Sequence, residues 1–493
     1  MRVSEYYNLQ RNQSELDFVD VDTTDDIPVY IDPSNIRRLT DTWGEECTLL
    51  LGTFFSSVLN AVRVDDGPQI TALLSNLSEP NETHLGLSAG KSRGRGLGRF
   101  LRKELAAKLA TSKAAQSGLI EDLEDTALFI DRVDKDIVSD VATNVIRGAL
   151  IAYTQSVCDF YGIPVEQVYS GPVWDAVKCE WEEGFTELPV ADGEKLLLVP
   201  KAIVRRSLYL SRGDYYKNHL LPVLQDEELD NPKSRLVRTL KSGKKYVTKK
   251  DVEAFYGNSK PVVAKLTVER PNVYVNYKHT KRSAQPGPMS HEDLGEATQT
   301  NGPDFDELLQ KVLDTPVGTE HATQYHHNVE ALLTAIFYPS LTMPVKEHKL
   351  HEGRKRVDIR YTNSSVTGFF QWLKSHHVPC KYVFIECKNY GKEVGNPEID
   401  QISSRFSQLR GQVGIFTCRS FAKKDVFLKR CRDTALDHRG YVIALDDDDL
   451  GQLVEDVKLS LLPPPEDVEE DAPPRLKTSD YPLLYERLSG LID

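Results

Sequence analysis

Two short runs place charge inside apolar strands: Arg356-Val357-Asp358-Ile359-Arg360 and Tyr382-Val383-Phe384-Ile385-Glu386-Cys387-Lys388-Asn389-Tyr390. Alternate residues of a strand share a face, so Glu386 and Lys388 are expected side by side while Cys387 turns into the opposite layer. Ionised groups are costly to bury unless they are paired or hold a metal. An Asp on one strand facing Glu-x-Lys on another is accounted for by a divalent cation, which offsets the repulsion between the carboxylates. Phosphodiester hydrolysis asks for these parts. Carboxylates hold Mg2+, with Mn2+ as a substitute, and the ion stabilises charge on the phosphoryl oxygens and lowers the pKa of bound water, beside which a cation stands. Asp358 and Glu386 are the candidate metal ligands, Lys388 is the cation, and the Cys387 backbone carbonyl is a further hard-oxygen donor.

The surrounding periodicity predicts the elements that would position these groups. A helix is expected over 321–338, with Val329, Leu332, Leu333, Ile336 and Phe337 as its apolar stripe. Strands follow at 345–350, 357–361 and 381–387, then a helix at 397–409, a strand at 413–418, a helix at 422–437 and a strand at 441–445. The order is αβββαβ with an extra αβ, a compact α/β domain over 304–456.

Asp358, the Glu386-x-Lys388 pair and this element order together resemble the PD-(D/E)xK, or restriction-endonuclease-like, superfamily. Asn389-Tyr390, Val394-Gly395, Gly414-Ile-Phe-Thr and Gly440-Tyr-Val-Ile-Ala-Leu-Asp resemble its Mrr-like branch, although Val357 stands where many members have proline. The resemblance implies a Mg2+-dependent deoxyribonuclease, an endonuclease of the kind bacteria often direct at foreign or modified DNA in antiviral defence, RNA not being excluded. Members often carry a further acid on the first helix, which Glu330 matches with Glu320 behind it. They also carry polar groups on the helix after the Lys strand. Gln401 and Arg405 match these, one helical turn apart and opposite Ile399, Ile402, Phe406 and Leu409, within reach of metal-bound water or phosphate.

Other signals have plainer accounts. Histidines crowd this domain, but doublets such as His326-His327 point to different sides of a helix and make a poor ligand set. The acidic run Asp446 to Asp449 stands where a helix begins and reads as N-capping. Gly86-Leu-Ser-Ala-Gly90-Lys91-Ser92 is one residue short of a phosphate loop and lacks a preceding buried strand, so an NTP-driven regulator is not expected. The Arg93 to Arg99 run beyond it is basic and glycine-rich.

With 493 residues the chain is expected to hold several domains. Residues 1–230 read as a helix-rich α+β region, with helices over 45–62 and 137–161 and a short buried strand at 195–199. Residues 231–282 read as a basic segment with one or two strands over 261–277, 283–303 as a linker, and 457–493 as an acidic, proline-rich tail ending in a short docking helix. The net charge is −13, yet from Lys233 to Arg282 fourteen Lys and Arg face only three acids. Lys244, Lys245, Lys249 and Lys250 in that stretch are the candidate nucleic-acid contacts, with Arg405 near the site. No apolar run is long enough for a bilayer and the start of the chain is polar, so no membrane role and a cytoplasmic location are expected. Seven scattered cysteines without a CxxC pair are expected to be reduced and mostly buried. A homo-oligomer or defence-system partner proteins are the expected company, and the alternative function is a non-catalytic nucleic-acid-binding or scaffolding protein on a nuclease fold.

Overall fold

A computed structural model describes residues 1–86, 105–284, 286–350, 355–390, 394–462 and 480–492, side chains at 106, 113, 347–350 and 355–357 excepted. The phosphate-loop-like run after Gly86 and the Arg93 to Arg99 run lie outside the described residues.

Three helices carry the N-terminal core: α1 (Thr42–Arg63), α2 (Lys135–Val145) and α3 (Arg147–Tyr161). In α1, Leu50, Leu51, Phe54, Phe55, Val58, Leu59 and Val62 are buried at helical spacing, and the Asp41 carboxylate accepts the Gly44 N–H at 2.8 Å to start the helix. Short two-stranded ladders, such as Glu166–Tyr169 with Phe185–Leu188, pack around them. The expected strand at 195–199 is buried but mostly unpaired as a ladder. Leu198 N–H donates instead to Thr154 Oγ1 at 3.0 Å and Leu197 N–H to the Glu82 carbonyl at 2.8 Å.

Two expectations for the middle of the chain are corrected. Residues 261–277 are not strands but the helices Lys260–Glu269 and Pro271–Ser283, each with proline in its first turn. Their buried positions, Val263, Ala264, Leu266 and Thr267, then Tyr274, Tyr277 and Lys278, follow helical spacing despite the β-branched composition. Strand structure in the basic segment is confined to the hairpin of Arg238–Thr239 with Lys245–Tyr246. The stretch expected as a linker holds the helix His291–Thr298, capped by Ser290, with Met289, Leu294 and Ala297 buried in the N-terminal core.

The C-terminal part is built on one five-stranded sheet of order β1-β2-β3-β4-β5: β1 (Leu341–Leu350), β2 (Lys355–Asn363), β3 (Tyr382–Lys388), β4 (Val413–Cys418) and β5 (Tyr441–Leu445). The first three strands are antiparallel, and β3, β4 and β5 run parallel. On one face lie the helices α4 (Phe305–Leu313), α5 (Ala322–Phe337), α6 (Gly368–Ser375) and, beyond α7 (Asn396–Ser403) and α8 (Lys424–Leu436), α9 (Asp447–Leu461). On the other lie α7 and α8. The layering follows from the alternation along β3, where Val383, Ile385 and Cys387 join the first core while Tyr382 and Phe384 face away from it. The tail helix α10 (Pro482–Ile492) places Leu483, Leu484 and Leu488 in one core and Leu491 in the other. All seven cysteines are free thiols and all but Cys179 are buried. Among the described residues no helix is long and apolar enough to cross a membrane.

Candidate active site

The site forms where β2 and β3 part. Their ladder runs from Thr362 opposite Tyr382 to Ile359 opposite Ile385 and stops there, one step short of Asp358 and Glu386. Beyond that point the Asp358 carboxylate takes over, its Oδ2 accepting the Cys387 N–H at 2.8 Å. The charged groups thus stand at the carboxyl end of β3, the end of a parallel strand at which α/β sheets commonly bind ligands.

Glu386 is fully buried, and Lys388 Nζ donates to its Oε1 at 2.6 Å. Gln401 Nε2, from α7, donates to the same oxygen. Oε2 of Glu386 is buried and takes no hydrogen bond. Burial first, and then the charge of Asp358, push the Glu386 carboxyl up to about 7, against the opposing charges of Lys388 and Arg405. Burial works against the Lys388 ammonium, but Glu386 and Asp358 outweigh it and hold its pKa above the ordinary lysine value. Helix α7 is shorter than expected and ends at Ser403, so Arg405 lies in the loop beyond it rather than one turn along. It is nonetheless buried and close enough for its charge to act on Glu386. Leu409, expected on the helix stripe, is exposed.

Helix α5 meets the other side of the site. Asn389, directly after Lys388, donates from Nδ2 to the carbonyls of Pro316 and Gly318, both at 2.9 Å, and so ties the entry to α5 to the end of β3. Tyr361 of β2 fixes the middle of the helix through Thr334 Oγ1 at 2.7 Å. This placement brings His326 to the site, with its Nε2 3.9 Å from Asp358 Oδ2. Burial lowers the His326 pKa against the raising effect of Asp358. His326, Asp358, Lys346, His327 and Glu330, with Phe160 at the end of α3, line a cavity of 170 Å³. Sequence reasoning passed over His326, and the available signal was its spacing of four residues from Glu330, which puts both on one side of the helix.

Glu330 is placed differently from the expectation. It is buried, its Oε2 stands 2.5 Å from Arg11 Nη2, and its Oε1 accepts from Thr334 Oγ1 at 2.9 Å. Arg11 also donates to the His327 carbonyl at 3.0 Å. Glu320 is exposed on a short 3-10 turn before α5.

Arg11 belongs to a stretch with a recognisable counterpart elsewhere. Residues 8–211 match a family described as a domain of unknown function (DUF8370). No curated protein and no solved structure matches the chain. The matched stretch closes over the edge of the C-terminal sheet. Asp17 Oδ1 accepts the Met343 N–H at 2.7 Å, Asp41 accepts from Thr362 Oγ1 at 2.9 Å, and Lys381 donates to Glu45 at 3.0 Å.

The residues present suit a divalent cation in part. Asp358 and the unbonded Oε2 of Glu386 are hard oxygen donors, and the free lone pairs of a buried carboxylate are costly to leave without a partner. Among the described residues no three His, Cys, Asp or Glu side chains form a ready-made metal cluster, so backbone oxygen and water would have to complete the coordination. The acidic run at α9 is no rival. Asp446 caps the helix by accepting the Asp449 N–H, and Arg419, Lys424 and Arg487 pair with Asp447, Asp446 and Asp449.

In the basic segment, Lys244, Lys245, Lys249 and Lys250 are exposed, and Lys249 Nζ donates to the Lys217 carbonyl at 2.9 Å. Many of the other cations there are consumed within the fold. Lys278 pairs with Glu121, Asp122 and Asp125, Lys281 with Asp214, and Arg270 with Glu227.

Proposed function

We propose that the C-terminal part is a metal-dependent endonuclease of the PD-(D/E)xK type that hydrolyses phosphodiester bonds in DNA. The observation that carries this reading is the buried Glu386, fixed through one oxygen by Lys388 and Gln401 and left open at the other, beside Asp358 where the strands part. Asp358, Glu386 and the Cys387 carbonyl are the groups that would hold Mg2+ or Mn2+, and the bound ion would supply charge stabilisation at the phosphoryl group and a more acidic water. The Lys388 ammonium would stand as a cation beside that position, Gln401 keeps the Glu386 carboxylate oriented, and Arg405 adds positive charge from the loop after α7. The exposed lysines of the 238–250 hairpin region suit the DNA backbone, and an antiviral role rests on the family resemblance alone.

The test is incubation of the full chain with plasmid, linear, modified and single-stranded DNA in Mg2+, Mn2+, Ca2+ or EDTA. Mg2+ and Mn2+ are expected to support cutting, and Ca2+ to retain a DNA complex without turnover, since its longer and looser bonds position water poorly. Asp358→Ala should lose both effects. Full cutting in EDTA would remove metal catalysis, and DNA binding without cutting under any condition would favour a non-catalytic protein on the same fold.

A further inference from the structure

The matched N-terminal stretch holds a cavity that the nuclease reading does not use. It measures 440 Å³, in the range of small-molecule sites, and every described residue that lines it falls within 8–211. The carboxylates of Asp26, Glu79, Asp134, Asp136 and Asp140 line it, against one guanidinium among the described lining residues, that of Arg132. Glu79, Asp134, Asp136 and Asp140 make no ion pair with a described residue. Lys135 is engaged elsewhere, its Nζ donating to the Arg206 carbonyl at 3.0 Å and lying over the Tyr30 ring.

Carboxylates at the start of a helix have an ordinary account, since the helix dipole favours them there. That covers Asp134, which caps α2 by accepting the Ile137 N–H, and Asp136 in the first turn. It does not cover Asp140, one turn further in, or Glu79 from another segment. Asp136 and Asp140 are four residues apart, so two like charges share one side of α2, an arrangement that destabilises a helix unless a cation stands by them. Burial, then Glu79 and Asp136, hold the Asp140 carboxyl well above the ordinary carboxylate range.

Tyr30 supplies an observation independent of these charges. It lines the same cavity at 1% exposure, and its hydroxyl is buried without a hydrogen-bond partner near Asp134, Asp136 and Asp140. A buried hydroxyl left unpaired is costly, and its oxygen can accept from an ammonium group. The carboxylates do not converge on a point: among the described residues no three of them form a group able to hold a metal ion. The wall also includes the apolar side chains of Pro80, Leu85 and Ile137. Separated anions on a partly apolar wall suit a methylene chain that carries ammonium groups at intervals.

We propose that this cavity binds a linear aliphatic polyamine, with its ammonium groups on Asp136, Asp140 and Glu79, one of them also reaching the Tyr30 hydroxyl, and its methylenes on Leu85 and Ile137. The proposal is independent of the C-terminal site.

Spermidine is titrated into the full chain by calorimetry at an ionic strength of about 0.15 M, where exposed charges are largely screened. Wild type is expected to show one saturable site. Asp140→Asn and Glu79→Gln should each weaken it at least about ten-fold, as loss of a desolvated charge partner does, and Tyr30→Phe about five-fold, as loss of one hydrogen bond does. Asp140→Asn keeps the shape and removes a repelled charge, so its thermal midpoint should be no lower than that of wild type, and Tyr30→Phe carries the test if it folds poorly. Glu180→Gln with Glu182→Gln, outside the cavity, should leave the affinity unchanged. Absence of saturable binding, equal binding by Asp140→Asn and Glu79→Gln, or full displacement by MgCl2 at the same ionic strength overturns the proposal. Binding that appears only after Lys91→Ser, Arg93→Ser and Arg95→Ser together would give the cavity to the chain's own basic run, and overturns it too.

Discussion

Glu386 is positioned by one oxygen and left unsaturated at the other, and its two neighbours define what each substitution should do. Glu386→Gln keeps the size and most of the hydrogen-bonding shape but removes the charge that would hold an ion. Cutting should fall by roughly a hundred- to a thousand-fold, the scale of losing one preorganised electrostatic partner, with little change in thermal midpoint. Lys388→Ala should lower cutting at least as far. Calorimetric melting beside a plasmid assay checks both, and wild-type rates in either variant would end the assignment. Much of this site was readable beforehand. Strand alternation alone puts Glu386 and Lys388 on one face and Cys387 in the core, and helical spacing opposite Ile399 and Ile402 sends Gln401 towards them. His326 was not readable, because a His doublet on a helix says only that its members diverge, and which of them meets a strand depends on the rotation of the helix against the sheet. Glu330 was misplaced for a related reason: its partner, Arg11, comes from a remote part of the chain that no local pattern connects to it.

At the scale of elements, α5 is clamped from both sides, by Tyr361 and Asn389 from the sheet and by Arg11 from the matched N-terminal stretch. Arg11→Ala strands Glu330 in the interior, which should cost about 3–5 kcal/mol, whereas Arg11→Met with Glu330→Gln should recover most of that. Chemical denaturation of the singles and the double measures the coupling, and additive losses would contradict it. The helix His291–Thr298 offers a second handle, since the ring of His291 meets the Ala335 carbonyl at 2.9 Å on α5. Burial, then the charge of Lys201, pushes His291 down to about 3. Because the folded value lies below the unfolded one near 6.5, the unfolded chain binds the extra proton. Stability from this residue is therefore present above about 6.5 and lost as pH falls towards 3, by at most about 1.4 kcal/mol per unit. His291→Gln should show a flatter stability profile than wild type between those limits, and parallel profiles would refute the assignment. In the C-terminal part β4 and β5 have the expected bounds, because both are continuous apolar runs between polar turns, whereas β1 begins four residues earlier than expected and the helix α6, which was not expected, interrupts the three strands between β2 and β3. Periodicity failed at 261–277, where Val262, Val263, Val268, Val273 and Val275 imitate a strand while the residues that become buried keep helical spacing.

Across the whole molecule, charge surplus and charge display are different quantities. The cations that end the basic segment bind acids elsewhere in the N-terminal part, so only part of that surplus is available to a phosphate backbone. Changing Lys244, Lys245, Lys249 and Lys250 together to Ala should weaken DNA binding and reduce the salt slope by about 0.9 for each of these lysines that neutralises a phosphate. An unchanged slope in a titration against ionic strength would assign these residues to solvation alone. The sequence could not separate the two roles, because the partners of Lys278, at Glu121, Asp122 and Asp125, are adjacent to it only once the chain is folded. One small irregularity joins the two halves. β1 is broken by a register shift between Thr342 and Val345, where Met343 takes a left-handed φ of 52° and gives its N–H to Asp17 instead of to a neighbouring strand. An amide released from its ladder ordinarily exchanges with solvent deuterium by local fraying, yet this one is sealed under a carboxylate from the opposite half. Its exchange should therefore report the parting of the halves, making the Met343 amide a spectroscopic gauge of how often the N-terminal cover lifts from the sheet.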